Sequence, residues 1–207
     1  MKKLMMMTCA FALGWSLESR ADEGDWIWSP MGIGIAAPVQ IPFMSSNVYG
    51  LRLGGFLGYN QDVYGLDLGL VANVATGNEA GFEAGLANIV KGDFAGLQLG
   101  LVNYDASVSA GAELGLVNWN GLASYGFQLG VGNVDQRSFV GAGFGVVNFA
   151  DELTGVQLGV INLANDVTGF QIGFVNACDT MCGFQLGLFN IITTSPLPIM
   201  IIANASF

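Results

Sequence analysis

The sequence predicts an all-β protein, a β-solenoid of about eleven coils of 14–16 residues each. Three observations carry that expectation. A Gly-x-Gln-x-Gly-x-x-Asn frame starts at Gly155, Gly169 and Gly183, and read backwards at Gly141, Gly126, Gly111, Gly96, Gly81, Gly65 and Gly50, with spacings of 14 to 16. A short fixed period is the mark of a repeat architecture. Within each frame apolar residues alternate with small or polar ones, as along a strand. A helix over the same residues would carry Gly every fourth position, at about 1 kcal/mol each relative to Ala. Finally, Asn returns at one position, as Asn88, Asn103, Asn118, Asn133, Asn148, Asn162, Asn176, Asn190 and Asn204. Parallel coils in register place these in one column whose amides hydrogen-bond along the axis.

The alternative is an outer-membrane antiparallel β-barrel of 10–12 strands. For it speak a mean hydropathy of +0.54 and a last segment alternating from Ile199 to Phe207, which resembles the terminal aromatic strand of such barrels. Against it, all loops look alike, whereas a barrel alternates short turns with long loops. Antiparallel neighbours would also send alternate Asn residues to opposite ends. The five prolines, Pro30, Pro38, Pro42, Pro196 and Pro198, lie outside the array. They suit the protected edges of an open stack.

In chain order, residues 1–21 read as an export signal: Lys2 and Lys3, the apolar run Leu4 to Trp15, and small residues at Ser19 and Ala21. Residues 22–49 form an N-terminal cap segment, acidic at Asp22, Glu23 and Asp25, in which Pro38 to Phe43 looks like a degenerate repeat with Gln40 in place. Residues 50–194 are the array. Residues 195–207 are a C-terminal capping strand, read as one more copy with Asn204 as its Asn.

At the Gln position successive copies carry Arg52, Asp67, Glu83, Gln98, Glu113, Gln128, Gly143, Gln157, Gln171 and Gln185. Ionised groups are expensive in a dry core. That face is therefore expected in water, with Gln157, Gln171 and Gln185 as an exposed row. Val156, Phe170 and Phe184 would stack in the core. Arg52 and Asp67 should be lateral neighbours, with Asp67 beside Glu83. Cys178 and Cys182, with three residues between them in one loop, suggest a disulfide in an exported chain.

Candidate chemistry is sparse. The chain has no His, the commonest general base and metal ligand. Asp151-Glu152 reads as a solvated loop pair. The loops carry about one acid each, too few for the acid-rich units of calcium-binding coils. Gly-x-Gln-x-Gly lies inside a strand, not at a strand-to-helix turn that cradles a nucleotide. No catalytic, cofactor-binding or metal residue is expected, and no cofactor. The net charge of −10 disfavours nucleic acid and anionic lipid headgroups as partners.

The repeat resembles that of exported bacterial surface repeat-containing proteins, whose tandem Gly-x-Gln-x-Gly-x-x-Asn units often follow a Val-Tyr-Gly-Leu lead. That lead stands here as Val48-Tyr49-Gly50-Leu51 and Val63-Tyr64-Gly65-Leu66, and the resemblance covers residues 48–190. Leu57 and Ala72 depart from it where Asn is expected. The resemblance implies an envelope or surface location and brings no catalytic residues. The expected function is a non-enzymatic structural or interaction protein of the cell envelope, with a protein or envelope component as its unknown partner and possible association with the outer membrane. An outer-membrane pore is the alternative.

Overall fold

A computed structural model describes residues 28–207. The expected signal segment, 1–21, and the acidic start of the cap lie outside the described residues. The rest is a single right-through stack of β-coils. Each coil has a long side and a short side joined by two corners. In one coil the long side is Phe94–Leu99 and the short side Val102–Asp105. Each side pairs in parallel with the same side of the next coil. Gly111 lies against Gly96 and Gly126, and Asn118 against Asn103 and Asn133. Ten glycines, one per coil from Gly50 to Gly183, mark the array. The parallel register replaces the barrel alternative: no two strands of the array pair antiparallel with each other.

The two glycines of each frame have separate causes. The first adopts a positive φ, +140° at Gly111, where L side chains are strained. A Cβ there would also lie 1.9 Å from the Gly96 carbonyl oxygen. The second makes room for the Asn column. A Cβ on Gly115 would lie 2.9 Å from Asn118 Oδ1 and 3.0 Å from Asn103 Nδ2.

The two ends close differently. At the N-terminus, β1 (Trp28–Ala36) lies parallel to β3 (Asn47–Asn60), and β2 (Val39–Ile41) folds back antiparallel on β1. Pro38 to Phe43 is thus a hairpin arm and not a degenerate coil. Gln40 still bonds the next coil, accepting from Tyr59 N at 3.1 Å. At the C-terminus, Ile199–Ser206 runs antiparallel to Thr180–Ile192. It caps the stack but is not a further copy. Asn204 therefore lies opposite Gln185 and outside the Asn column, because the chain reverses before it.

The faces are opposite to the sequence expectation. Gln157, Gln171 and Gln185 are 1%, 0% and 0% exposed, whereas Phe170 and Phe184 are 46% and 41% exposed. The expectation priced single polar groups in an apolar medium. In a stack, each carboxamide instead meets an identical one a coil away, so burial leaves few groups unpaired.

The exterior is correspondingly apolar, with its charges gathered. Among the described residues, every ionisable Asp, Glu, Lys or Arg outside the core lies at the corner from short side to next long side: Asp62, Lys91, Asp93, Arg137, Asp151, Glu152, Asp166 and Asp179. These residues stack from coil to coil. Asn78 N donates to Asp62 Oδ1 at 2.8 Å, and Asp93 N to Asn78 Oδ1 at 2.9 Å. The opposite corner carries a row of exposed Leu, Val and Phe.

Candidate functional site

Four positions in each coil point inward, and they form four columns along the axis. Reading one coil at a time, the sets are Phe94, Gln98, Asn103 and Asp105, then Ser109, Glu113, Asn118 and Asn120, then Ser124, Gln128, Asn133 and Asp135. Farther along, the columns flanking Gln turn apolar. Leu153 and Ala164 flank Gln157, Val167 and Cys178 flank Gln171, and Met181 and Ile192 flank Gln185. Gly143 supplies no side chain to the Gln column, and the Phe139 ring comes within 3.2 Å of where its Cβ would be. A large residue in one column offsets a missing one in the next, as dense packing requires.

The Asn column is a continuous hydrogen-bonded ladder. It starts at Asn73, whose Nδ2 donates to Asn88 Oδ1 at 3.2 Å. It continues through Asn88 and Asn103 to Asn118 at 2.8 Å a step. It ends with Asn176 donating to Asn190 Oδ1 at 2.8 Å. Each rung's second hydrogen reaches a backbone carbonyl of the next coil, as Asn103 Nδ2 does to Leu114 O at 3.2 Å. The sequence reading missed Asn73. Its coil has an extra residue at the corner, Gly-Leu-Val-Ala-Asn where the next has Gly-Leu-Ala-Asn. Aligning on Asn instead of on the leading Gly finds it. A shorter ladder joins Gln185 Nε2 to Gln171 Oε1 at 2.9 Å, and Gln171 Nε2 to Gln157 Oε1 at 3.0 Å.

In the N-terminal half the same columns hold ionisable groups. Arg52 and Asp67 are lateral neighbours as expected, but buried. The guanidinium grips the carboxylate with two donors, Nε to Oδ1 at 2.6 Å and Nη2 to Oδ2, and Nη1 donates to Val74 O at 3.1 Å. Asp67 lies beside Glu83, also as expected. Asp67, Glu79 and Glu83 bring carboxylate oxygens within 4.8 Å of one another. Beyond them Gln98 Nε2 bridges Glu83 Oε2 at 3.0 Å and Asp105 Oδ1 at 2.9 Å. Glu113 accepts from Ser109 Oγ and from Asn120 Nδ2. Asp135 accepts from Ser124 Oγ and Gln128 Nε2.

Burial raises the pKa of these acids, because the charged form is the one that loses water. Asp105 rises to about 7 and Asp135 to about 6, each held back by the hydrogen bonds it accepts. Glu113 rises to about 8, through burial first and then the Asp105 charge. Glu79 and Glu83 rise well above the usual range, through burial and through neighbouring carboxylates. As neutral acids they become donors. Glu79 Oε2 and Glu83 Oε1 otherwise lack partners.

A three-carboxylate group is a possible cation cage, but here the positive charge is already supplied. Arg52 sits against Asp67, and all four side chains are at most 3% exposed. A bound divalent ion would face that guanidinium directly. The cluster is closed to solvent and lies across neighbouring coils, with Arg52 bonded to Asp67 and Asp67 beside Glu83.

Cys178 and Cys182 are not joined. Cys178 is buried in the apolar core beside Ile192, whereas Cys182 points outward from the long side. One residue lies on each face, so the short loop does not bring them together. Cys178 packs as a small apolar residue, and burial pushes its thiol up to about 12. Asp151 and Glu152 lie at the charged corner, away from the carboxylate column. An open depression at the N-terminal end is lined by Ile33, Ile35, Val39, Ile41 and Leu53, and offers no reacting group.

Comparison with protein-family models, with curated proteins and with solved structures finds no match.

Proposed function

We propose that this protein is a non-enzymatic scaffold of the bacterial cell envelope, a stiff rod that presents a repetitive surface to a protein or envelope partner. The observation that carries the reading is the unbroken Asn ladder from Asn73 to Asn190, in which every coil is bonded to the next through its core. Such an axis resists bending and local opening, as a spacer must. At a spacing of about 4.8 Å per coil the array is roughly 50 Å long. The polar side chains of the core are committed to these columns and are closed to solvent, which supports a mechanical role over a catalytic one.

The location rests on the resemblance of the repeats to those of exported surface proteins and on the basic, then apolar, start of the chain. Fractionation of the producing cell, with protease added to intact cells, tests it. The protein is expected in the envelope fraction with its leader removed. Recovery of uncleaved protein in the cytoplasm would overturn the assignment.

A further inference from the structure

We infer that the solenoid lies in one leaflet of a lipid bilayer, with its axis in the membrane plane and its charged corner toward water. The inference goes beyond the scaffold reading and does not depend on it. Four observations point to lipid as the occupant of the apolar exterior.

First, the apolar perimeter is not one patch. It covers the long side, the corner opposite the charges and the short side. At that corner Leu86, Leu101, Leu116, Val131, Val146 and Val160 form a straight row, each 47–51% exposed. Successive rungs from Leu86 to Val146 are joined by backbone bonds of 2.9 Å. A flat protein partner, including a second copy, covers one side and leaves the other in water. A fluid acyl phase covers all three surfaces at once.

Second, the tyrosines sort by depth. All five tyrosines of the chain stand in the outward rows nearest the charged corner: Tyr49, Tyr64 and Tyr125 on the long side, Tyr59 and Tyr104 on the short side. Trp119 shares the short-side row with Tyr104. Phe, with no polar tip, spreads more widely: Phe149 follows Asn148 in the row of Tyr104 and Trp119, whereas Phe174 is 54% exposed at the far corner. Tyr and Trp concentrate where hydrocarbon meets headgroups, because one end of the ring system is apolar and the other hydrogen-bonds.

Third, the dimension fits. A long side of six to seven residues spans roughly 20 Å at about 3.3 Å per residue. Half of a hydrocarbon core is about 15 Å, and the headgroup zone adds to it. The far corner thus reaches the bilayer middle without crossing.

Fourth, the backbone tolerates lipid. Exposed unpaired N–H and C=O groups exclude most folds from hydrocarbon. Here the coils satisfy each other along the axis, and open strand edges are confined to the two ends. The Asn ladder of the core is likewise bonded along the axis and is closed to the surface.

Spin labels at two depths test the inference on the full chain, in a Cys9→Ala/Cys182→Ser background that leaves the buried Cys178 unlabelled. One label is placed at Leu116→Cys, on the far corner, and one at Gln136→Cys, beside the charges. In phosphatidylcholine vesicles the label at 116 should relax with oxygen and be shielded from a water-soluble nickel chelate, and the label at 136 should show the reverse. Position matters, because Leu4 to Trp15 alone can carry the chain to vesicles. Both labels open to the chelate would overturn the inference. So would a label at 116 shielded from both reagents, which means a protein copy covers it. A Leu101→Glu/Val131→Glu/Val160→Glu change added to the 116 label, all on exposed side chains of the same row, should open that label to the nickel chelate at least tenfold while the protein keeps its β circular dichroism. A label at 116 that stays shielded from the chelate in the folded variant would count against the inference. None of these results bears on the cellular location, which fractionation tests separately.

Discussion

Truncating Gln171 should destabilise the solenoid more than truncating its larger neighbour Phe170. Gln171 is fully buried, donates to Gln157 Oε1 at 3.0 Å and accepts from Gln185 Nε2 at 2.9 Å. In Gln171→Ala, Gln157 Oε1 loses its donor, whereas Gln185 Nε2 keeps Ile191 O at 3.1 Å. One orphaned buried acceptor costs about 1–3 kcal/mol. The vacated volume between Val167 and Cys178 adds about 1 kcal/mol more, for about 2–4 kcal/mol in all. Phe170 is 46% exposed and stacks on Phe184 with centroids 5.8 Å apart. Its truncation removes partial burial and one ring pair, about 1–2 kcal/mol. Melting temperatures of both variants, followed by circular dichroism in one common buffer or detergent, give the comparison. If Phe170→Ala falls further than Gln171→Ala, the assignment of inside and outside is wrong.

Other perturbations probe the remaining parts. Asn118→Ala breaks the ladder at both neighbours, Asn103 and Asn133, and should cost about 2–5 kcal/mol; a loss below 1 kcal/mol by thermal melting would make the column incidental. Gly111→Ala meets both a positive φ and the Gly96 carbonyl, and should cost about 3–5 kcal/mol or prevent folding, whereas Gly132→Ala, with open space around it, should fold normally. Acids whose folded pKa is raised stabilise the fold below their unfolded pKa and lose that contribution as pH rises through the folded value. With Asp135, Asp105 and Glu113 near 6, 7 and 8, the melting temperature should fall between about pH 4.5 and 8. Glu113→Gln should flatten the upper part of that fall, and a wild-type melting temperature that climbs with pH over this range would contradict the buried-acid network. Cys182 should react with a thiol reagent in the native protein, and Cys178 only after denaturation without reductant; failure of both to react until reductant is added would restore the disulfide.

Much of the architecture was legible because the period is carried by residues with strict geometric roles. The leading Gly needs a positive φ, and the second Gly makes room for an Asn. Their spacing therefore gives coil length and register, and the Arg52–Asp67 pairing follows. The orientation is not legible if Asp67, Glu83 and Glu113 are assumed ionised. Buried beside Arg52, or holding a proton, they need no water. The sign was present in the glycines. The second Gly of each frame leaves space for the Asn ladder, whereas Leu, Phe or Val bulk there would not fit. Asn204 was misplaced because counting by 14 carries no information about chain direction, and Pro196 and Pro198 mark the reversal. Cys178 and Cys182 are close in sequence, but the corner at Asp179 breaks the alternation between them, so Cys178 ends a short side facing inward and Cys182 stands on the next long side facing outward.

Hydrogen exchange of the side-chain carboxamides measures the central claim, a polar hydrogen-bonded axis inside an apolar shell. The NH₂ protons of Asn103, Asn118, Asn133, Gln171 and Gln185 should exchange orders of magnitude more slowly than those of Gln136 and Asn165 at the charged corner. Exchange of the ladder amides at the rate of free carboxamides, in protein whose backbone amides remain protected, would contradict it.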